Sequence, residues 1–301
     1  MIFRSLVLGI FLISVGILNT QEIELAGIFR NEKNGAVIPF ATIEIMNKKI
    51  GIAADYKGNF NLKIPQSCIN DSLRCKSLGF ETKWILVKTF QKDFSNVVIN
   101  LTPVVYTLNE VEIFGPPAGK YRLGNYVKST KGGGFLTNIQ TQLAVYMDSR
   151  KYNNARIVNA SFYLSKGGKP ETPFRVRLYA VDSKTGNPGD DLIKDNIIIH
   201  GKHRGGWVTV DLSKYNLKAP GNGYFVSMEW INSGNQYYYQ TYIGPTICTC
   251  YGQVCASITS IPISNTWTYV YGVGWFKDDN KILHHNEYLN TLITSEIEVS
   301  K

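Results

Sequence analysis

Histidine is scarce in this chain, with four residues in 301, and only 18% of residues are charged. A metal site needs at least three converging protein ligands, and His200-Gly-Lys-His203 has no neighbouring Cys or carboxylate to complete one. It reads as a solvated hairpin tip. The Gly-Xaa-Ser-Xaa-Gly elbow of serine hydrolases is missing. Gly132-Gly133-Gly134 lacks the Lys-Ser/Thr that finishes a phosphate loop. No catalytic residue, metal or cofactor is therefore expected. After the first twenty residues no run is long and apolar enough to span a membrane as a helix, and no long segment carries a helical period. Cysteine is limited to five residues, an odd number that leaves one thiol over. Cys68 and Cys75 flank Asn70-Asp71-Ser72, so a hairpin would set them opposite each other as the candidate disulfide. A pair among Cys248, Cys250 and Cys255 would close a small loop, but no fourth ligand lies close enough for a zinc knuckle.

What is present is β-forming. Aromatics reach 12%, glycine counts 27 residues, and short alternating segments are separated by turn signals throughout, which predicts an all-β protein. Residues 1–20 carry Arg4 and then the apolar run from Leu6 to Ile13, the pattern of a secretory signal. The rest is expected to be exported, to the periplasm, an outer-membrane-associated position or the exterior. Net charge is +9 and uneven, with 11 basic against 10 acidic residues over 21–115 and 20 against 13 over 116–301. The C-terminal excess admits an anionic partner, and no motif for nucleic acid accompanies it.

The N-terminal part is organised around Ala41-Thr42-Ile43-Glu44-Ile45, which turns Ala41, Ile43 and Ile45 to one face and Thr42 and Glu44 to the other. Asp55-Tyr56-Lys57-Gly58 is a hairpin turn, after which Phe60, Leu62 and Ile64 alternate inward. Pro39–Ile43, the run from Gly51 through Asp55 and Gly58 to Phe60, the corner Ser77-Leu-Gly-Phe-Glu81 and the exit strand Leu108–Glu112 together resemble the carboxypeptidase regulatory-like domain. That resemblance implies a small, non-catalytic transthyretin/Ig-like β-sandwich over residues 21–114, used as an accessory on envelope proteins. The family's name invites a test for a zinc peptidase. His284-His285-Asn286-Glu287 has the right spacing for two ligands, yet no His lies among the residues after Glu287 and the upstream pair stands in the wrong order.

Gly115-Pro116-Pro117-Ala118-Gly119 and the later glycine run mark 115–134 as a linker. Residues 135–301 read as a larger jelly-roll-like β-sandwich, with strands expected at Thr141–Met147, Ile157–Leu164, Phe174–Val181, Asn196–Ile199, Trp207–Asp211, Tyr224–Trp230, Tyr237–Ile243, Trp267–Trp275 and Leu289–Val299. Aromatics crowd its second half, and flat rings can cover the apolar C–H faces of sugars. Tyr238, Tyr242, Trp267, Tyr271 and Trp207 are the candidate ligand-binding residues. Two functions follow as expectations: a non-enzymatic module binding a glycan or anionic envelope polymer, or a structural module docking on an envelope protein.

Overall fold

A computed structural model describes residues 22–104, 118–128, 130, 134–135, 141–152, 155–243, 245–261, 263–278 and 288–300. The signal segment, the Leu108–Glu112 strand and the His284–Glu287 run lie outside the described residues. The protein is all-β, with four short 3-10 turns as its helical elements among the described residues.

The N-terminal sandwich stacks a three-stranded sheet on a four-stranded one. In the first, Glu22–Asn31 lies between Asn59–Pro65, antiparallel to it, and Val97–Leu101, parallel to it. In the second, Thr42–Ile45 pairs with Ile50–Ala53 and with Ser72–Lys76, and Lys83–Leu86 closes the far edge. The hairpin turn forms as its residues dictate: the Asp55 carboxylate accepts from the backbone N–H groups of Lys57 and Asn59 at 2.8 Å, and Gly58 takes φ +77. Phe60, Leu62 and Ile64 enter a core shared with Leu25, Phe29, Ile43 and Ile99. Each such side chain contributes about 1.5–3 kcal/mol on burial.

The C-terminal sandwich has two seven-stranded sheets, and every pairing in it is antiparallel. One sheet runs Pro188–Asp191, Phe174–Val181, Tyr224–Trp230, Thr141–Met147, Thr266–Val270, Gly274–Lys277, with Ile197–Ile199 also on Phe174–Val181. The other runs Tyr288–Thr291, Gln253–Ile261, Arg156–Gly168, Ile293–Val299, Gly119–Gly124, with Gly206–Asp211 on Arg156–Gly168 and Gly134–Phe135 on Gln253–Ile261. Phe162, Phe174, Val176, Leu178, Met228 and Ile297 fill the space between the sheets. A separate two-stranded ribbon pairs Tyr238–Ile243 with Thr246–Tyr251.

Three expectations need correction. The stretch read as a linker contains the strand Gly119–Gly124, whose pairing with Ile293–Val299 makes it an edge of the C-terminal sheet. The single strand expected over 267–275 is two strands joined by a turn at Tyr271-Gly272-Val273, because Gly272 and Gly274 adopt φ +76 and +103. The Cys68–Cys75 disulfide is not formed, and all five cysteines are free thiols. Cys75 sits on a strand opposite Ile43 and Lys83, while Cys68 ends a 3-10 turn, so no hairpin ladder sets the two opposite each other.

Candidate functional site

The outer face of the sheet carrying Phe174–Val181 is unlike a solvated surface. Alternation sends Phe174, Val176 and Leu178 into the core, and Arg175, Arg177 and Tyr179 to the other side. Cross-strand register then builds two rows. Arg175, Glu229, Gln142, Tyr269 and Trp275 stand side by side, and Arg177, Ser227, Ala144, Trp267 and Lys277 form the next row. The N-terminal sandwich covers one end of this face, so groups that alternation assigns to solvent are buried: Arg175 and Glu229 are at most 1% exposed.

Charge pairing makes that burial tolerable. Arg175 donates from Nε and Nη2 to the two oxygens of Glu229 at 2.8 Å each, the bidentate geometry for which guanidinium is suited. It also donates to Asn196 Oδ1 at 3.0 Å and, across the junction, to the Phe40 carbonyl at 3.1 Å. Phe40 takes φ +58, uncommon for an aromatic residue. Arg177 holds Asp191 with 2.7 Å bonds and reaches Glu229 at 3.4 Å. Tyr271 donates its hydroxyl to Glu229 at 2.7 Å. Burial alone would raise the Glu229 pKa, but Arg175, Arg177 and the Tyr271 bond outweigh it and hold the carboxyl at about 2.

The second carboxylate comes from the other domain. Glu44, 1% exposed, accepts from Arg74 of the neighbouring strand, from the Tyr269 hydroxyl at 2.9 and 3.0 Å, and from the Gly272 backbone N–H at 2.6 Å. Glycine is required at 272: a Cβ there would lie 2.7–2.9 Å from backbone atoms of Ile50 and Ile45. The hairpin turn thereby docks directly on the backbone of the N-terminal sheet.

Between these two sets of pairs a cavity of about 170 Å³ remains, lined by Thr42, Glu44, Arg74 and Lys76 from one sandwich and Gln142, Arg177, Tyr179, Tyr269 and Trp275 from the other. Its aromatic wall is held edge to face, with Trp275 5.4 Å from Tyr179 and 5.1 Å from Tyr269. Gln142 is fixed by the Tyr179 hydroxyl, which donates to its Oε1 at 2.6 Å. Rings, amide, carboxylate and cations converge here, a set that orients a small polar ligand with an apolar face.

The five residues singled out from sequence do not form one patch. Trp267 lies on the outer face just described, half-buried against Phe225 at 4.9 Å, with its indole N–H donated to Asn187. Tyr271 is 2% exposed; it lines the same cavity and positions Glu229 through its hydroxyl, and its ring is not an open surface platform. Trp207 is on the opposite sheet, stacked on Tyr126 at 5.3 Å and donating to the Val127 carbonyl. Tyr238 packs on Tyr251 at 4.8 Å against the core. Only Tyr242, 72% exposed near the ribbon tip, is freely accessible. Arg175, Arg177, Gln142, Glu229 and Glu44 were passed over. The signal for three of them was visible: charged or amide residues at every second position of strands whose other face is apolar.

Comparison with known proteins supports the N-terminal assignment. Residues 25–113 match the CarboxypepD_reg-like domain family and form a carboxypeptidase regulatory-like domain. The chain is also similar to TonB-dependent receptor P3 of Formosa agariphila, 25% identical over 175 residues, which cover 57% of this chain and 16% of the receptor. The matched part of the chain therefore spans about a sixth of that relative's length.

Proposed function

We propose that the protein is a non-catalytic binding protein of the cell envelope whose C-terminal sandwich takes a glycan on its outer face, with one saccharide residue seated in the interdomain cavity. The carrying observation is the convergence of Gln142, Arg74 and Lys76 with the rings of Tyr179, Tyr269 and Trp275 on one cavity. A cavity of about 170 Å³ is smaller than the roughly 300–1,000 Å³ of sites for drug-sized ligands, which suits one ring of a longer chain. An envelope position, whether periplasmic, outer-membrane-associated or extracellular, is supported by the similarity to a receptor of that name.

The test is a screen of the full chain against oligosaccharides and envelope polymers at low and high salt. Saturable binding that persists in salt and weakens at least tenfold in Trp275→Ala supports the reading. Binding that vanishes in salt would reduce it to non-specific charge attraction, and no binding would overturn it. A second reading, docking on an envelope protein, is favoured by two exposed apolar features. Tyr242 stands opposite Ile247 near the ribbon tip, both exposed, and the edge strand Lys83–Leu86 exposes Trp84 and Leu86.

A further inference from the structure

We infer that the interdomain cavity selects an anionic saccharide residue, one bearing a carboxylate or sulfate, and that Lys76 and Arg74 form its anion subsite. This rests on the glycan reading above and specifies its ligand class.

The inference follows from where hydrogen-bonding capacity is left unused. Around the cavity stand four cations, Arg74, Lys76, Arg175 and Arg177, and three carboxylates, Glu44, Asp191 and Glu229. A fourth carboxylate, Asp190, is exposed and near enough to act on the Lys76 charge. Arg175 and Arg177 are fully engaged with Glu229 and Asp191. Arg74 gives Nε and Nη2 to Glu44 and Tyr269, which leaves Nη1 without a hydrogen bond among the described residues. Lys76 is less satisfied still. Its ammonium has three donors, yet among the described residues its nearest acid is Asp191 at 3.6 Å, an ion pair beyond hydrogen-bond length. The Lys76 side chain remains 33% exposed, so a ligand can reach it. Burial, helped by Arg177 and Arg74, outweighs the pull of Asp191 and Asp190 and disfavours its charged form, and an incoming anion would offset that.

The free donors on Lys76 and Arg74 face a wall of Tyr179, Tyr269 and Trp275. A neutral sugar would stack on the rings and leave those donors to water. A uronate or sulfated sugar would use both. Selection by a charged group whose partner is missing in the wrong ligand is stronger than selection by shape.

The experiment measures affinity of the full chain, by calorimetry, for pairs of oligosaccharides with the same backbone, glucuronate- or sulfate-bearing against unsubstituted. The expected result is at least tenfold tighter binding of the anionic member. Lys76→Gln should weaken binding of the anionic member and bring the pair close to parity. Comparison of the carboxylate and sulfate arms tells which anion the subsite prefers. Equal affinity for charged and neutral members in the unaltered protein overturns the inference and leaves the glycan reading standing, and needs no variant to fold. A preference that survives undiminished in a folded Lys76→Gln variant also overturns it. Binding of no member overturns both readings.

Discussion

The interior of the C-terminal sandwich and the junction between the two sandwiches both exclude water, by opposite chemistry. Between the sheets, Phe162, Phe174, Val176, Leu178 and Met228 make a continuous apolar core, where stability scales with area buried and neighbouring shapes can substitute for one another. At the junction, Glu44, Arg74, Arg175, Arg177, Asp191 and Glu229 meet through hydrogen bonds with fixed geometry. Charges taken out of water cost several kcal/mol each, so such pairs add little net stability and mainly define which arrangement is allowed. The core thus supplies the free energy of folding, and the junction sets the position of one domain on the other. A cavity with unspent donors survives at the junction, because charged walls that are already paired do not collapse to fill it.

The strongest test of this contrast compares removal with replacement. Glu229→Ala leaves the Arg175 guanidinium buried without its carboxylate and is expected to cost about 3–5 kcal/mol, read from urea unfolding midpoints. Phe162→Ala in the core should cost a similar amount, about 3–5 kcal/mol, by leaving a cavity. The two diverge on repair. Arg175→Met combined with Glu229→Leu should recover most of the junction loss, since an apolar pair of similar volume is often no worse than a buried ion pair. If Glu229→Ala costs less than about 1 kcal/mol, the junction is open to water in solution.

Acid offers a smaller and reversible version of the same cut. The Glu229 carboxyl is held at about 2 against an ordinary 4.5, so between those values the unfolded chain binds the proton more readily than the folded one. Its contribution is complete above pH 4.5 and disappears as pH falls through about 2, a loss of about 3 kcal/mol. Glu229→Gln should flatten that part of the stability profile. An unchanged slope in the variant would place the acid sensitivity elsewhere.

Much of the core was legible in sequence because alternation is a local property. Phe174–Val181, Thr141–Met147 and Tyr224–Trp230 occur with the expected bounds. What alternation cannot report is what covers the second face of a strand. Glu44, Arg175 and Arg177 sit where a half-buried strand would show polar residues to solvent, and they are buried because a second domain arrives there. That contact joins residues as far apart in the chain as Glu44 and Gly272, a separation no local pattern spans. Tyr271 is buried for the same reason, its ring lying beside Tyr269 on the face that the second domain covers. The strand expected over 267–275 breaks after Val270, at the turn that holds Gly272. The glycine was the readable signal, since a glycine inside an alternating run often marks a break.

The smallest expected effect lies farthest from both regions. Tyr242 and Ile247 face each other on a ribbon whose strands pair only with one another among the described residues. A solvent-exposed cross-strand pair contributes about 0.2–1 kcal/mol, and exposed substitutions away from special features usually stay within about 0.5 kcal/mol. Tyr242→Ser should therefore leave the unfolding midpoint nearly unchanged, and it should leave saccharide binding in the cavity unchanged as well. The informative failure is a loss above about 1 kcal/mol that grows with protein concentration. Stability linked to concentration arises when the folded chain binds something the unfolded chain does not. In a purified sample that can only be another copy. The ribbon would then be a buried element in solution, and the contrast between core and junction would need a third region in which apolar residues, not charges, fix how whole chains meet.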